Sequence, residues 1–268
     1  MRTQALATEF DFTAVDWPNG ENLGNWRAVE LLGSGGTAEV WRAVAPDGRE
    51  AALKIVKREL RRHPGANSLL RREHEILRLV ASPHLVGPYE LIDCDGVAVL
   101  VLEYLPHGDL VPLVGTPPPH WLPALGAAIA GLAALERHGL AHGDLKARNV
   151  LFAADGSARL ADLTSARPLD APAVAATAAY GLREPRGARA READRFALAA
   201  LLFELATGRL PYGPDGASAG AELADSAVPE PAAAPLKAAA MAALRAEGRV
   251  PGLSYFVDVI ESVRGKQD

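Results

Sequence analysis

The stretch His142-Gly143-Asp144-Leu145-Lys146-Ala147-Arg148-Asn149 gathers a carboxylate, an ammonium and an amide into one short loop. Asp144 can accept a proton from a hydroxyl, Lys146 can offset charge on a moving phosphoryl group, and the Asn149 carbonyl can ligate a hard divalent cation. Together these groups suit phosphoryl transfer. The apolar run Val150-Leu151-Phe152 follows directly, so the loop lies between a helical pattern and a strand-like one.

Four other places could serve the same chemistry. In Gly33-Ser34-Gly35-Gly36-Thr37-Ala38-Glu39-Val40, small residues let backbone N–H groups approach phosphate oxygens without obstruction. Lys54 ends the run Ala51-Ala52-Leu53-Lys54, and strand alternation puts it on the same face as Ala52, beneath the glycine loop if the sheet is a meander. The helical stretch 66–80 carries Leu69, Glu73, Ile76 and Val80 on one stripe, with Leu70 and Leu77 beside it. Glu73 thus interrupts an apolar face, which is costly unless a cation meets it. Lys54 is the nearest candidate in the preceding sheet; a local pair with Arg71 or Arg72 at the rim of the stripe is the competing reading. Finally, Asp162 stands at the end of a strand that follows an Asp155-Gly156 turn, a short hairpin away from Asn149, where a carboxylate reads as a metal ligand.

The elements that must position these residues follow from periodicity and turn chemistry. Strand-like runs at 26–32, 38–44, 51–56, 89–93 and 97–102, with turns at Asp47-Gly48 and Asp95-Gly96, give a five-stranded antiparallel sheet. Pro117-Pro118-Pro119 reads as a rigid spacer, and 121–138 as a long helix with Leu122, Leu125, Ile129, Leu132 and Leu135 on one face. The run 194–205 is apolar nearly all round and belongs inside a core. Residues 213–234, rich in Pro, Gly and Ala, suggest an irregular connection before closing helices at 235–246 and 253–263. Residues 1–23 mix Phe10, Phe12 and Trp17 with acidic residues and suggest an arm, its aromatics either clipped onto the sheet region or docking a partner. The basic run Lys57, Arg58, Arg61, Arg62, Arg71 and Arg72 reads as a solvated helical face, with a docking patch for an acidic or phosphorylated partner as the alternative.

The motifs and their order resemble the protein-kinase family. His142 to Asn149 is similar to its catalytic loop, with Gly143 where the family most often has Arg. The resemblance implies an α+β, two-lobed protein-kinase-like fold: a five-stranded antiparallel N-lobe with one main helix, and a mostly helical C-lobe. It divides the chain into an arm (1–24), a kinase domain (25–264) and a tail (265–268), the domain comprising N-lobe 25–102, hinge 103–108 and C-lobe 109–264. It implies ATP with Mg²⁺ (or Mn²⁺) as cofactors. Gly33, Gly35, Gly36, Val40, Ala52 and Lys54 would line the nucleotide site, Glu103 and Leu105 would meet the adenine edge through backbone groups, and Leu102 would be the bulky residue behind it. Lys54 paired with Glu73 would hold the α- and β-phosphates. Asp144 would be the base, Lys146 the charge-offsetting cation, Asn149 and Asp162 the metal ligands. Thr177, in a stretch similar to the family's substrate-facing loop, would hydrogen-bond Asp144 and Lys146 as in Ser/Thr-directed members. Asp194 would tie back to the catalytic loop, and Arg249 would staple Glu184.

Ala38, Gly143, Thr164 and Arg183 depart from the family pattern. Thr164 replaces a glycine, and a β-branched residue resists the positive φ that glycine permits, so local geometry should differ. Without an Arg at position 143 the family's electrostatic clamp on a phosphorylated activation segment is missing. This implies an enzyme of the non-RD kind, constitutive or controlled by a partner.

Composition excludes other classes. The chain has 268 residues, 49% hydrophobic, with a formal net charge of -5 that supplies no basic field for nucleic acid or anionic lipid. The single cysteine, Cys94, rules out an intrachain disulfide and points to a reducing, cytoplasmic setting. No apolar run is long enough to span a bilayer. The expected partner is a protein substrate bearing Ser or Thr, with a regulatory partner as an option. Two alternatives stand beside the bacterial Ser/Thr protein-kinase reading: a small-molecule phosphotransferase of the aminoglycoside-kinase type, which shares the His-Gly-Asp wording, and a pseudokinase scaffold.

Overall fold

The computed structural model describes residues 22–61, 63–94, 96–174, 177–182, 187–217, 222–224, 226–246 and 249–265. It begins with strands β1 (Asn22–Leu23), β2 (Trp26–Ser34), β3 (Ala38–Val44) and β4 (Glu50–Val56), then helix α1 (Pro64–Val80), β5 (Pro88–Cys94) and β6 (Val97–Glu103). These strands form one antiparallel sheet in the order β1-β2-β3-β4-β6-β5. All five expected strands are present, and β1 adds a sixth. A two-residue strand is too short to show an alternating pattern, so only its pairing with β2 reveals it.

The sheet's two faces have different neighbours, as period-two alternation requires. Leu23, Trp26, Ala43, Ala51, Leu53, Ile55, Val99 and Val101 pack together on the outer face. Ala52, Val56, Ala98, Leu100 and Leu102 point the other way and join α1 and the large core beyond it. Strand β6 lies between β4 and β5 and is buried from Val97 to Leu102, which explains its unbroken apolar run.

The rest is mainly helical: α2 (Pro118–Arg137), the short strands β7 (Leu140–Ala141), β8 (Val150–Phe152), β9 (Ala158–Leu160) and β10 (Arg167–Pro168), then α3 (Ala190–Thr207), α4 (Ala234–Arg245) and α5 (Leu253–Arg264). Helix α2 starts inside the proline run expected to be a spacer. Pro at the first helical position is tolerated because its fixed φ suits the helix and its missing N–H has no intrahelical partner to lose. The same reason starts α1 at Pro64, before the apolar stripe begins. Helix α3 is buried at Phe196 to Leu202 and again at Phe203, Leu205 and Ala206, as an all-round apolar helix must be. Among the described residues of 208–230 there is no α-helix or strand, in keeping with the irregular connection expected there.

Two strand pairings position the candidate site, one a hairpin and one between strands distant in sequence. Strands β8 and β9 pair directly, and β7 pairs with β10, so the segment between β9 and β10 is pinned at both ends beside the catalytic loop. The His84 carbonyl and Val86 N–H bond both polar groups of Leu160, which locks β9 against the loop leading out of α1. The sheet-bearing and helical halves are thereby fixed around one cleft.

Candidate active site

Lys54 lies on the cleft face of β4, as alternation predicts, and its side chain is almost wholly buried. Its ammonium donates to Glu73 Oε1 at 3.0 Å and Oε2 at 2.7 Å, to Asp162 Oδ1 at 2.7 Å and to Thr164 Oγ1 at 2.8 Å. Glu73 is fully buried on the inner stripe of α1 with Leu70, Leu77 and Val80, while Leu69 lies at the rim. The competing local pair does not form: Arg71 reaches across to Asp93 instead. Burial alone would lower the Lys54 pKa, but the facing carboxylates of Glu73 and Asp162 outweigh it and leave it raised. Burial would likewise raise Asp162, yet the Lys54 charge and hydrogen bonds from Lys54 and Thr164 hold it well below the usual carboxylate range.

Asp162 takes the left-handed backbone conformation, with φ of 65°, and it is the Asp162 carboxylate that caps the following turn. The conformational demand expected at Thr164 thus falls two residues earlier, on a residue type that tolerates it better. Thr164 lies in a 3₁₀ turn, Leu163–Ser165, with an ordinary backbone, and its hydroxyl points into the ion-pair cluster. That contact was not legible in the sequence, where Thr164 figured only as a backbone problem.

The catalytic-loop residues form a second cluster. Lys146 Nζ donates to Asp144 Oδ2 at 2.7 Å and to Thr177 Oγ1 at 3.0 Å, and the Thr177 hydroxyl donates to Asp144 Oδ1 at 2.6 Å. The Asn149 amide nitrogen donates to the Asp144 carbonyl at 2.7 Å, which turns its amide oxygen away from that contact. The Ala161 N–H bonds the Asn149 carbonyl at 2.8 Å, so Asp162, the next residue, stands beside Asn149. The two clusters therefore adjoin where Asn149 meets the segment 161–162. Next to Asp144 a pocket is lined by Val174, Thr177, Leu182 and Ala197 as well as the loop itself.

The loop's backbone is braced from below. Asp194, buried in the first turns of α3, accepts from the His142 N–H at 2.6 Å and the Gly143 N–H at 2.8 Å. Burial raises its pKa, opposed by His142 and those two N–H groups. The His142 ring accepts from the Asp144 N–H and bonds the Ala161 carbonyl, which ties the loop to the residue before Asp162. Gly143 has φ of 82°, and a Cβ there would sit 2.5 Å from the Ser165 carbonyl oxygen. Any side chain at position 143 would have to displace the start of the segment that leads to Thr177.

At the cleft's roof, Gly33 pairs with Val40 across the β2–β3 hairpin, and the Gly35 N–H bonds the Ala38 carbonyl at 2.8 Å. A Cβ at Gly33 or Gly36 would meet nothing within 4 Å. The hairpin itself therefore does not need glycine at either position. At the back, Leu102 and Leu105 are buried, and the Glu103 N–H is committed to the Gly87 carbonyl at 2.8 Å. Any contact from Glu103 to a base edge must come from its carbonyl. The Glu103 carboxylate also accepts from the Gly87 N–H at 2.8 Å and lies 3.5 Å from Arg159 of β9, contacts that sequence periodicity does not reveal. Arg183 and Glu184, and with them the expected Arg249 staple, lie outside the described residues.

A roofed cleft between an antiparallel sheet and a helical half, with a buried lysine–glutamate pair on one side and an Asp–Lys–Asn loop on the other, is the architecture of the two-lobed phosphotransferases. The chain matches the protein kinase domain family over residues 26–234, and it belongs to that family. It is 34% identical over 205 residues to the probable serine/threonine-protein kinase PkwA of Thermomonospora curvata, covering 71% of this chain and 27% of that protein. It is 33% identical over 209 residues to the serine/threonine-protein kinase PknL of Mycobacterium tuberculosis, covering 69% and 50%. With the serine/threonine-protein kinase pkn2 of Myxococcus xanthus it shares 28% identity over 207 residues, covering 70% and 25%. The aligned part is thus between a quarter and half of these relatives' length.

Proposed function

We propose that this chain transfers the γ-phosphate of ATP to Ser or Thr hydroxyls of a protein substrate. The observation that carries this reading is the meeting of Asp144 and Lys146 on one hydroxyl, that of Thr177, at 2.6 and 3.0 Å. A base and a cation already arranged around a threonine hydroxyl is the geometry that a Ser or Thr acceptor requires. The kinase names of the relatives support the same reading.

In this mechanism the glycine hairpin and Lys54 hold the phosphates, with Glu73 fixing Lys54. The openness around Gly33 and Gly36 supports a ligand, not the fold, as the reason for those glycines. Ala52 and Val40 bound the site from the sheet, Leu102 lies behind the base, and Glu103 and Leu105 offer backbone groups to its edge. Among the described residues no group of three or more His, Cys, Asp or Glu could hold a metal by itself. Asn149 and Asp162 would supply two oxygen ligands, a donor set that suits Mg²⁺ or Mn²⁺ accompanied by nucleotide phosphates. When bound, the ion neutralises charge on the transferring phosphates. Asp144 orients the acceptor hydroxyl and takes its proton, and Lys146 offsets charge on the γ-phosphate.

The working domain is taken as 25–264, with lobes 25–102 and 109–264 about a hinge at 103–108. Gly143 supports regulation without activation-segment phosphorylation, because no guanidinium is available there to clamp a phosphate. No described helix is long and apolar enough to cross a membrane. The lone cysteine supports a reducing, cytoplasmic setting. Incubating the chain with labelled ATP and Mg²⁺ against a generic basic protein and a panel of small hydroxylated molecules tests the proposal. Label on protein Ser or Thr supports it. Label confined to small molecules, or nucleotide binding with no transfer at all, overturns it.

A further inference from the structure

Gly213 and Gly216 follow α3 with nearly the same left-handed backbone, φ of 72° and 76°, and the Gly216 N–H donates to the Gly213 carbonyl at 3.3 Å. Their surroundings differ. A Cβ at Gly213 would meet nothing within 4 Å, whereas one at Gly216 would overlap the Ala178 carbonyl oxygen, 2.5 Å from its carbon and 3.2 Å from the Ala179 nitrogen. Gly216 thus lies directly against the 3₁₀ turn Ala178–Tyr180, which follows Thr177. That turn is closed by the Tyr180 N–H on the Thr177 carbonyl at 3.2 Å and the Gly181 N–H on the Ala178 carbonyl at 2.9 Å, so Thr177 and the Ala178 carbonyl belong to one hydrogen-bonded unit. The segment carrying Gly216 has little freedom to retreat: Tyr212 stacks on Phe196 of α3, the Ala224 N–H bonds the Pro211 carbonyl at 2.8 Å, and Ala217 is fully buried.

We propose that Gly216 is a positioning residue for the acceptor side of the site, its bare backbone setting where the turn after Thr177 stands relative to Asp144 and Lys146. The inference rests on the protein-phosphorylation reading above and deepens it. A Cβ at position 216 needs about 0.9 Å more at the Ala178 carbon alone, to take 2.5 Å to the 3.4 Å at which ordinary contact begins. An O–H···O hydrogen bond holds over a span of only about 0.5 Å. The turn is tied on one side through the Thr177 hydroxyl to Asp144 at 2.6 Å and on the other through the Tyr180 hydroxyl to Glu204 at 2.5 Å, so pushing it strains both bonds. Asp144 and Lys146 are the groups that would hold the acceptor hydroxyl, and misplacing such groups by about 1 Å can cost about a hundredfold in rate. None of these contacts touches Lys54, Glu73 or Asp162, so the nucleotide side should be spared.

The test is steady-state transfer from labelled ATP with Mg²⁺ to a generic basic protein by wild type, Gly216→Ala, Gly213→Ala, Thr177→Val and the Gly216→Ala/Thr177→Val double variant, with circular dichroism melts of each. Gly216→Ala should lower kcat/KM for the protein about a hundredfold while KM for ATP stays within about twofold of wild type. Gly213→Ala carries the same left-handed strain without the overlap, and should transfer within about twofold of wild type. Because Gly216 acts through the Thr177 turn, the double variant should lose no more than the worse single variant. Losses that multiply, a Gly216→Ala that transfers like wild type, or equal losses in the two alanine variants each overturn the proposal. So does a Gly216→Ala that alone fails to melt cooperatively, since the contact would then serve the fold as a whole. Wild type that labels no protein removes the protein-phosphorylation reading itself. Hydrogen exchange then still decides the positioning claim: the Tyr180 and Gly181 amides exchange faster in Gly216→Ala than in Gly213→Ala if it holds, and equally if it does not.

Discussion

The two halves of the active cleft are built on opposite principles. The Lys54 cluster draws its members from β4, α1 and the turn after β9, with Lys54 and Asp162 separated by 108 positions, and it is held by opposite charges around a buried Lys54–Glu73 pair, with Asp162 at its open edge. The catalytic-loop cluster is local: Asp144, Lys146 and Asn149 come from one short segment. Lys146 and Asp144 stay partly accessible while Asn149 is buried, and the loop is anchored through backbone N–H groups on Asp194. In the first cluster, the proposed chemistry and the stability would depend on the same atoms. In the second they would be only partly separated: Asp194 holds the loop from outside the site, while Asn149 and Lys146 also brace Asp144.

Substitutions can break or sharpen that contrast. The largest effect is expected from Lys54→Met, which should abolish phosphate transfer and also cost about 3–5 kcal/mol of stability by leaving Glu73 buried without its cation. A Lys54→Met/Glu73→Leu double variant should recover much of that stability in denaturant titrations and none of the transfer. If the single variant is as stable as wild type, the buried pair does not couple the two properties. Asp144→Ala should lower labelled-phosphate transfer by about 10³-fold while shifting unfolding by no more than about 1 kcal/mol. A stability loss rivalling that of Lys54→Met would erase the distinction between the clusters. Gly143→Ala adds a Cβ against the Ser165 carbonyl at a positive φ, and should cost about 1–3 kcal/mol in a urea melt. A neutral result would mean that the segment after Asp162 yields easily. The smallest effect is expected from phosphatase treatment: activity before and after should agree within about twofold, if no guanidinium reads a phosphorylated segment. A large loss would reveal a clamp supplied from elsewhere.

Much of the site was legible because its parts obey local periodicities. Lys54 falls on the cleft face by strand alternation, and Glu73 falls on the inner stripe by helical spacing, each within its own element. Asp144, Lys146 and Asn149 were legible as a group because their spacing is short. The prolines at 64 and 117–119 were harder, since the same residue type that ends a helix also begins one, and only the paired and packed chain distinguishes the two. Strand β1 carries no pattern at all.

By itself, then, the order of residues determined the elements and the faces on which the reactive groups lie, because those depend on neighbours a few positions away. Tertiary structure decided what crosses between elements: that the Thr164 hydroxyl enters the Lys54–Glu73 pair, that Asp162 carries the left-handed backbone in its place, and that the Ser165 carbonyl fills the space a side chain at Gly143 would need. These contacts are set by how the turn after β9 is pinned between α1 and the catalytic loop. No local propensity encodes such a distance, because it is the sum of packing choices made along the whole core.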